Sequence, residues 1–402
     1  MELLINKILK SYFNFKIEGE SMIDIKKKEE CCGCYACTNV CPKICIEMKV
    51  DDEGFWYPQV KKEKCIECGL CEKVCPVINS PKIDKNDTMA YACINNNEES
   101  RKMSSSGGIF SLLCDEVIRN KGVVFGAGFD ENFEVIHSYS ETLEGCSIFR
   151  GSKYVQSKIG NTYKEAKEFL DNGRIVLFSG TQCQIKGLIL YLRKKYDNLI
   201  AMEVVCHGVP SPKVFRNYRD LLSKKYNSQI KYIRFRDKTK GWKKFSYVTK
   251  FINNEKYSKT LKKDLFTRGF LKNLYLRPSC YDCKAKNYTS GSDLSLADYW
   301  GIQKKHPKFD DDKGTSLVLV NSSKGKEIFD SISKNMRFLE TDLQYATANN
   351  PCIVRPVKYN ADREKFFKEI EYKSLENIIN KYTKISIRKR IKNKVKRFVY
   401  KF

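Results

Sequence analysis

Two short cysteine runs near the N-terminus carry the densest chemistry in the sequence. The first holds Cys31, Cys34, Cys37 and Cys41 followed by Pro42; the second holds Cys65, Cys68, Cys71 and Cys75 followed by Pro76. Each reads C-x2-C-x2-C-x3-C-P, the spacing that binds 4Fe-4S clusters in bacterial-type ferredoxins. Three thiolates on one tight loop take three irons of a cubane, and the cysteine before the proline completes the other cluster. The spacing therefore assigns Cys31, Cys34, Cys37 and Cys75 to one cluster, and Cys65, Cys68, Cys71 and Cys41 to the second. Paired zinc knuckles are the alternative, but zinc sites lack the x3-C-P tail. Cys32 and Cys45 fall outside the spacing and read as small buried hydrophobes.

Four further cysteines form a second signal. Cys183 lies just beyond the carboxyl end of one expected strand (174–178), and Cys206 lies at the carboxyl end of the next (199–206). Such strand ends, when adjacent and parallel, form the crevice where α/β folds place their sites. Cys280 and Cys283 supply a C-x2-C pair able to close a four-thiolate shell over that crevice. Structural zinc on the same four residues fits the spacing equally well. His207, next to Cys206, is a candidate proton carrier, with a hydrogen-bonded structural histidine as the plainer reading. Cys93, Cys114, Cys146 and Cys352 show no ligand spacing and read as packing residues.

Two polar loops could meet an anion. Ser104-Ser105-Ser106-Gly107-Gly108 precedes an apolar helical run, and hydroxyls and amides at a helix N-terminus suit a phosphate; a serine N-cap with a flexible loop is the simpler alternative. Gly151-Ser152-Lys153-Tyr154 offers a lysine able to face a phosphate or a flavin ring, or is a surface turn. No G-x-G-x-x-G follows a strand and no Walker motif is present.

The elements that must position these residues follow from pattern. Strands are expected at 122–129, 134–138, 174–178 and 199–206, with helices at 163–170 and 181–194 between and beside them. That strand–helix–strand order predicts neighbouring parallel strands. Antiparallel strands follow at 231–235, 245–251 and 256–261. A further buried strand at 317–320 precedes a helix from about Lys324. The expected organisation is an amphipathic segment over 1–25, a dicluster ferredoxin-like domain over 26–80, a mixed α/β domain over 88–345 and a basic helical tail over 346–402. The fold class is thus a small bacterial-ferredoxin-like unit followed by a larger α/β domain. Phe55-Trp56-Tyr57 is expected to shield the clusters from water.

The net charge of +26 is local: residues 231–273 hold fourteen basic and three acidic side chains, and residues 377–402 hold ten basic and none acidic. The second segment has the composition of a helix lying on an anionic membrane surface, or of a basic helix packed on its own domain. For the first, docking of an acidic redox partner is the expectation, since no recognition motif supports nucleic acid. No stretch approaches the ~20 apolar residues of a membrane span. Cluster ligands without an export signal imply a reducing cytoplasm.

With these residues in view, the chain resembles the coenzyme F420 hydrogenase/dehydrogenase beta-subunit family, in its form with an N-terminal dicluster ferredoxin domain. The carriers are the two cysteine runs, residues 104–108, 151–154, 177–184 and 206–212, and Asp293–Gly301. The resemblance implies a flavoprotein in which FAD sits beside a third 4Fe-4S cluster held by Cys183, Cys206, Cys280 and Cys283. It also implies flavin contacts at Ser106, Gly107, Gly108, Gly151, Ser152, Lys153, Tyr154, Gly180 and Thr181. One departure is Gln182, where the family commonly has proline. The implied function is an oxidoreductase passing electrons between the clusters and an organic substrate or deazaflavin through FAD, with Lys153 and His207 as candidate catalytic residues. The alternative is a relay subunit without a substrate of its own. Its partner would be a ferredoxin or a catalytic subunit.

Overall fold

The computed structural model describes residues 22–82 and 88–384. Most of the segment read over 1–25, and the part of the basic tail from 385 to 402, lie outside the described residues.

The N-terminal unit pairs β1 (Ile46–Val50) with β2 (Trp56–Val60), antiparallel, with Ile46 opposite Val60. Each cysteine loop runs into a short helix, Ala36–Val40 or Leu70–Lys73. The internal repeat is visible in the backbone. Gly33 and Glu67 occupy equivalent positions, as do Tyr35 and Gly69, and all four have φ between 52° and 67°. Each repeat thus places one glycine and one bulkier residue in the left-handed region, which curls the loop back on itself. The hydrogen bonds repeat as well: Gly33 N–H donates to Cys31 Sγ and Glu67 N–H to Cys65 Sγ, both at 3.4 Å.

The larger domain is built on an eight-stranded sheet. Its strands come from β3 (Met89–Asn95), β4 (Val123–Phe129), β5 (Val135–Ser140), β6 (Val176–Thr181) and β7 (Leu199–Val204), and later from three more. Between these lies a separate antiparallel sheet of β8 (Ile230–Asp237), β9 (Ser246–Phe251) and β10 (Lys256–Thr260). The chain then completes the large sheet with β11 (Leu294–Asp298), β12 (Ser316–Val320) and β13 (Met336–Thr341), giving the order β13-β3-β12-β11-β7-β6-β4-β5. The four central strands β4, β6, β7 and β11 are parallel; the strand–helix–strand pattern predicts this for the first three, whereas β11 matches no strand expected from pattern.

Those central strands are apolar on both faces, as a sheet covered on both sides requires. Val123, Phe125, Val176, Phe178, Leu199 and Ala201 face one core, while Val124, Leu177, Ile200 and Met202 face the other. The first face is covered by helices Thr162–Asp171 and Gln182–Leu192, together with Cys34, Tyr35, Ala36 and Trp56 of the N-terminal unit. The second is covered by helices Ile109–Arg119 and Ser323–Ser333. No helix among the described residues is long and apolar enough to cross a membrane.

The cluster unit is therefore fused to the body rather than tethered to it. Phe55 sits in a core with Val214, Phe235, Phe266, Phe366 and Ile378, and Tyr57 packs against its edge. Phe55-Trp56-Tyr57 thus anchors one unit to the other. Residues 346–384, read from sequence as the start of a tail, pack into the same body through helices Arg363–Glu369 and Leu375–Thr383. Arg363 clamps the unit from that side: its guanidinium donates to both carboxylate oxygens of Glu53 (2.8 and 2.5 Å), and both residues are buried. Removing one member of such a pair strands a charge in low dielectric. We predict that Arg363→Met destabilises the protein by about 3 kcal/mol or more, and that Glu53→Gln in that background restores part of the loss. Anaerobic denaturant unfolding of the variants checks this; a single variant within error of wild type would refute it.

Candidate iron–sulfur and cofactor site

The structure brings Cys41 to the thiols of the second run and Cys75 to those of the first, with Cys71 also within electrostatic reach of Cys37 and Cys75. Cys41, Cys65, Cys68 and Cys71 line one small cavity with Gly69, and Cys45 sits beside them with its sulfur 3.4 Å from Cys41 Sγ. Cys75 lies within electrostatic reach of Cys31, Cys34 and Cys37.

Cys183, Cys206, Cys280 and Cys283 line a single pocket, brought together from three elements. Thr181 caps helix Gln182–Leu192 in a reciprocal box with Gln184, which places Cys183 in the first turn beside the end of β6. Thr181 Oγ1 lies 3.3 Å from Cys183 Sγ. Cys206 follows the end of β7, the neighbouring parallel strand. Cys280 comes from the 3-10 turn Pro278–Asp282, and its sulfur accepts from Val209 N–H at 3.4 Å. Among the described residues, no three His, Cys, Asp or Glu side chains converge as a shell for one ion, in the N-terminal runs or here.

The pocket opens onto the N-terminal unit, whose Glu29, Cys32, Pro76 and Val77 complete its lining. Cys32, read from sequence as a packing residue, lines this pocket and lies beside both Cys34 and Cys183, between the first cluster set and this one. Three buried cations surround the junction. Arg277 donates to Cys31 O (2.8 Å), Trp56 O (2.9 Å) and Gln156 Oε1 (3.1 Å). Lys186 donates to Lys284 O (2.8 Å), and Lys286 to Gln182 Oε1 (2.9 Å) and to Cys206 O. None of the three forms an ion pair with a carboxylate among the described residues. Buried cations require anionic company; Glu29 and Asp282 on the pocket's lining are exposed, which leaves the cysteines, as ligands of a cluster, to supply it. The donor set therefore fits an anionic, thiolate-held centre.

A cavity of about 1050 Å³ lies on the other side of this pocket, and Thr181, Cys206, His207, Gly208 and Val209 line both. Of the residues implied as flavin contacts, Ser106, Gly108, Gly151, Ser152, Lys153, Tyr154, Gly180 and Thr181 all line it. The serine loop and the 151–154 loop are tied together, with Ser152 N–H and Oγ donating to Ser105 Oγ (2.7 and 3.0 Å). Gly107 is the exception. Its N–H donates to Ser316 Oγ (3.0 Å) and its carbonyl accepts from Asn95 (2.8 Å), so neither is left for a ligand. A Cβ there would come within 2.4 Å of Cys93 O, which makes Gly107 a close-packing position. Lys153 donates to Ile148 O (2.6 Å) and Arg150 O (3.2 Å), and burial pushes its ammonium down to about 7. Tyr154 stacks on Phe270 at 4.7 Å.

Other lining residues lie outside the cysteine runs and polar loops read from the sequence. Arg236 of β8 pairs with Asp298 at the end of β11, and its Nε and Nη2 are buried without a partner. Trp300 stacks on Trp242 at 4.8 Å behind it. Residues 349–352 and 355–358, placed in the tail by sequence, form another wall. Among them Cys352, read as packing, brings its sulfur to 3.6 Å from His207 Nδ1, while His207 Nε2 lies 2.6 Å from Asn273 Oδ1. Burial holds the His207 imidazole toward its neutral form. Asp293 is structural: its carboxylate accepts from Ala201 N–H (2.9 Å) and Ser322 Oγ (2.7 Å).

His137 anchors the polar floor beside Thr181. Its Nδ1 lies 2.8 Å from Ser157 Oγ, which accepts from Gln184 Nε2 (2.9 Å), and its Nε2 lies 3.0 Å from Ser179 O. Burial pushes its pKa down from 6.5 to about 4. Between those values the unfolded chain binds more protons than the folded one, so stability is full above about pH 6.5 and falls as pH falls toward 4. From pH 7 to pH 5 this one group accounts for a loss of about 2 kcal/mol. His137→Gln should therefore show a smaller acid-induced drop in urea midpoint than wild type; an equal drop would assign the effect elsewhere.

Residues 173–345 match the family model for the C-terminal part of the coenzyme F420 hydrogenase/dehydrogenase beta subunit, and residues 30–79 match the 4Fe-4S dicluster domain. No curated protein matches the chain. Among solved structures, the chain is similar to one from the F420-reducing NiFe hydrogenase complex of Methanosarcina barkeri, at 17% identity and a TM-score of 0.44, covering 78% of this chain and 97% of that one. Two matched segments in this order, one bearing the two cysteine runs and the other bearing Cys183, Cys206, Cys280 and Cys283, identify an iron–sulfur electron-transfer protein related to the coenzyme F420 hydrogenase/dehydrogenase beta subunit, with an N-terminal dicluster domain.

Proposed function

We propose that this chain is an iron–sulfur flavoprotein oxidoreductase, in which Cys183, Cys206, Cys280 and Cys283 hold a third 4Fe-4S cluster and the 1050 Å³ cavity holds FAD and an organic substrate or deazaflavin. The observation that carries the reading is the shared wall. Thr181 and residues 206–209 face the thiol pocket on one side and the cavity on the other, and Cys32 spans the gap from the pocket to the first cluster set. Redox centres bound at these places would lie in one contiguous line.

The cavity's charge supports an anionic occupant. Arg150, Lys153, Arg236, Lys243, Arg355 and Lys358 line it against one carboxylate among the described residues, Asp298. The unpartnered donors of Arg236, and the serine loop at the start of helix Ile109–Arg119, suit the pyrophosphate of FAD. Bound flavin would supply the exchange between one-electron carriers and a two-electron substrate. The chain's own residues position it, exclude water and, at Lys153 and His207, offer groups that burial shifts toward neutral forms. A relay subunit without a substrate is the second reading, favoured by the family's designation as a beta subunit. Its partner would be a ferredoxin or a catalytic subunit, docking through the basic face of residues 231–273.

Iron, sulfide, zinc and flavin content of anaerobically purified protein tests the proposal. About twelve irons and one FAD per chain are expected, falling to about eight irons with flavin retained in Cys183→Ser. Eight irons with one zinc would make the third set structural, and absence of flavin after reconstitution would overturn the flavoprotein reading.

A further inference from the structure

We propose that Lys286, held in place by Gln182, is the fixed positive charge that sets the reduction potential of the cluster bound by Cys183, Cys206, Cys280 and Cys283. The inference rests on the third-cluster reading above. Lys286 is buried, at 6% exposure, and lines the thiol pocket. Its ammonium donates to the carbonyl of Cys206, one of the proposed ligands, and to Gln182 Oε1 at 2.9 Å. Gln182 is itself only 2% exposed and is the first residue of the helix that carries Cys183. The cation is thus fastened to the two strand-end segments that supply two of the four sulfurs, and it lies within electrostatic reach of Cys183, Cys206 and Cys283.

Other charged groups near the site do not cancel it. Lys186 adds a second positive charge, placed between Cys283 and the first cluster set. The pocket's own carboxylates, Glu29 and Asp282, are exposed to solvent, and Asp282 pairs with Lys284 at 2.7 Å. Glu203 is the nearby buried carboxyl, but it lies beyond ion-pair distance, accepts from Ser295 Oγ at 2.8 Å, and is pushed up by burial. Reduction of a 4Fe-4S cluster from its 2+ to its 1+ core adds one electron and neither forms nor breaks a bond. The added negative charge is stabilised by an ammonium a few ångströms away in a low-dielectric pocket. Gln182 is a positioning residue in this scheme, since without its acceptor the flexible lysine stem has one anchor instead of two.

The test is an anaerobic dithionite titration followed by electron paramagnetic resonance, using the signal that Cys183→Ser lacks. Iron is counted first, so that a wild type with about eight irons overturns the third-cluster reading, and this proposal with it, before any potential is measured. With about twelve irons present, Lys286→Met should make the cluster harder to reduce by about tenfold in the equilibrium constant, which is about 59 mV for one electron. Lys286→Arg should restore most of the shift. Gln182→Pro removes the acceptor at a helix position and after an extended residue, Thr181 (ψ 161°), where proline is tolerated; it should move the potential in the same direction by less. If Lys286→Met loses the third cluster, Gln182→Pro decides the matter. An unchanged midpoint in whichever variant keeps its iron overturns the proposal.

Discussion

Arg277 is the side chain on which the arrangement turns. Its guanidinium is fully buried between the two units and donates to the backbone of the first cysteine loop at Cys31, to β2 at Trp56, and to Gln156 of the larger domain. It also lies over the rings of Phe55 and Tyr57. A planar cation with five donors in a rigid fork joins these three segments in one fixed geometry. It has no carboxylate partner among the described residues, so cysteines ligating a cluster beside it would be its counter-charge. Docking of the dicluster unit and cluster binding at the first cysteine run would therefore support each other.

The same constraint explains where the third cysteine set lies. Parallel strands leave a crevice beyond their carboxyl ends, and β6, β7 and β11 end there at Thr181, Val204 and Asp298. The N-terminal unit closes one side of that crevice with Cys32, Pro76 and Val77, while β8 and residues 349–358 close the other. What results is two compartments with a common wall made of Thr181 and residues 206–209, which carries Cys206 and His207, with Cys183 two residues beyond Thr181. Rigid strands and a capped helix hold that wall, which suits a role in which distance matters more than motion.

Much of the local chemistry was legible before any fold was known. The two C-x2-C-x2-C-x3-C-P runs, the parallel strands carrying Cys183 and Cys206, and the C-x2-C pair at 280–283 are short-range patterns, and spacing along the chain encodes them directly. Other features misled for a physical reason. Gly107 sits in a loop that reads as phosphate-binding, but neighbouring strands consume both of its backbone groups. Residues 346–384 read as the start of a basic helical tail, yet Phe366, Ile378 and Ile379 bury that part against the body.

Ligand types, their grouping into cluster-forming runs, and the order of strands and helices are already written in the chain, because each depends on contacts within a few residues or on side-chain periodicity. Three-dimensional packing was needed to bring Cys32 against Cys183, to gather Arg277, Lys186 and Lys286 at one junction with the first cysteine loop, and to make residues 349–358 wall a cavity whose opposite wall begins at Ser104. The partners in these contacts lie far apart along the chain, and nothing in local spacing reports them. Burial is what selects them: a cation or thiol forced from water must find partners in space, and the fold alone determines which lie within reach.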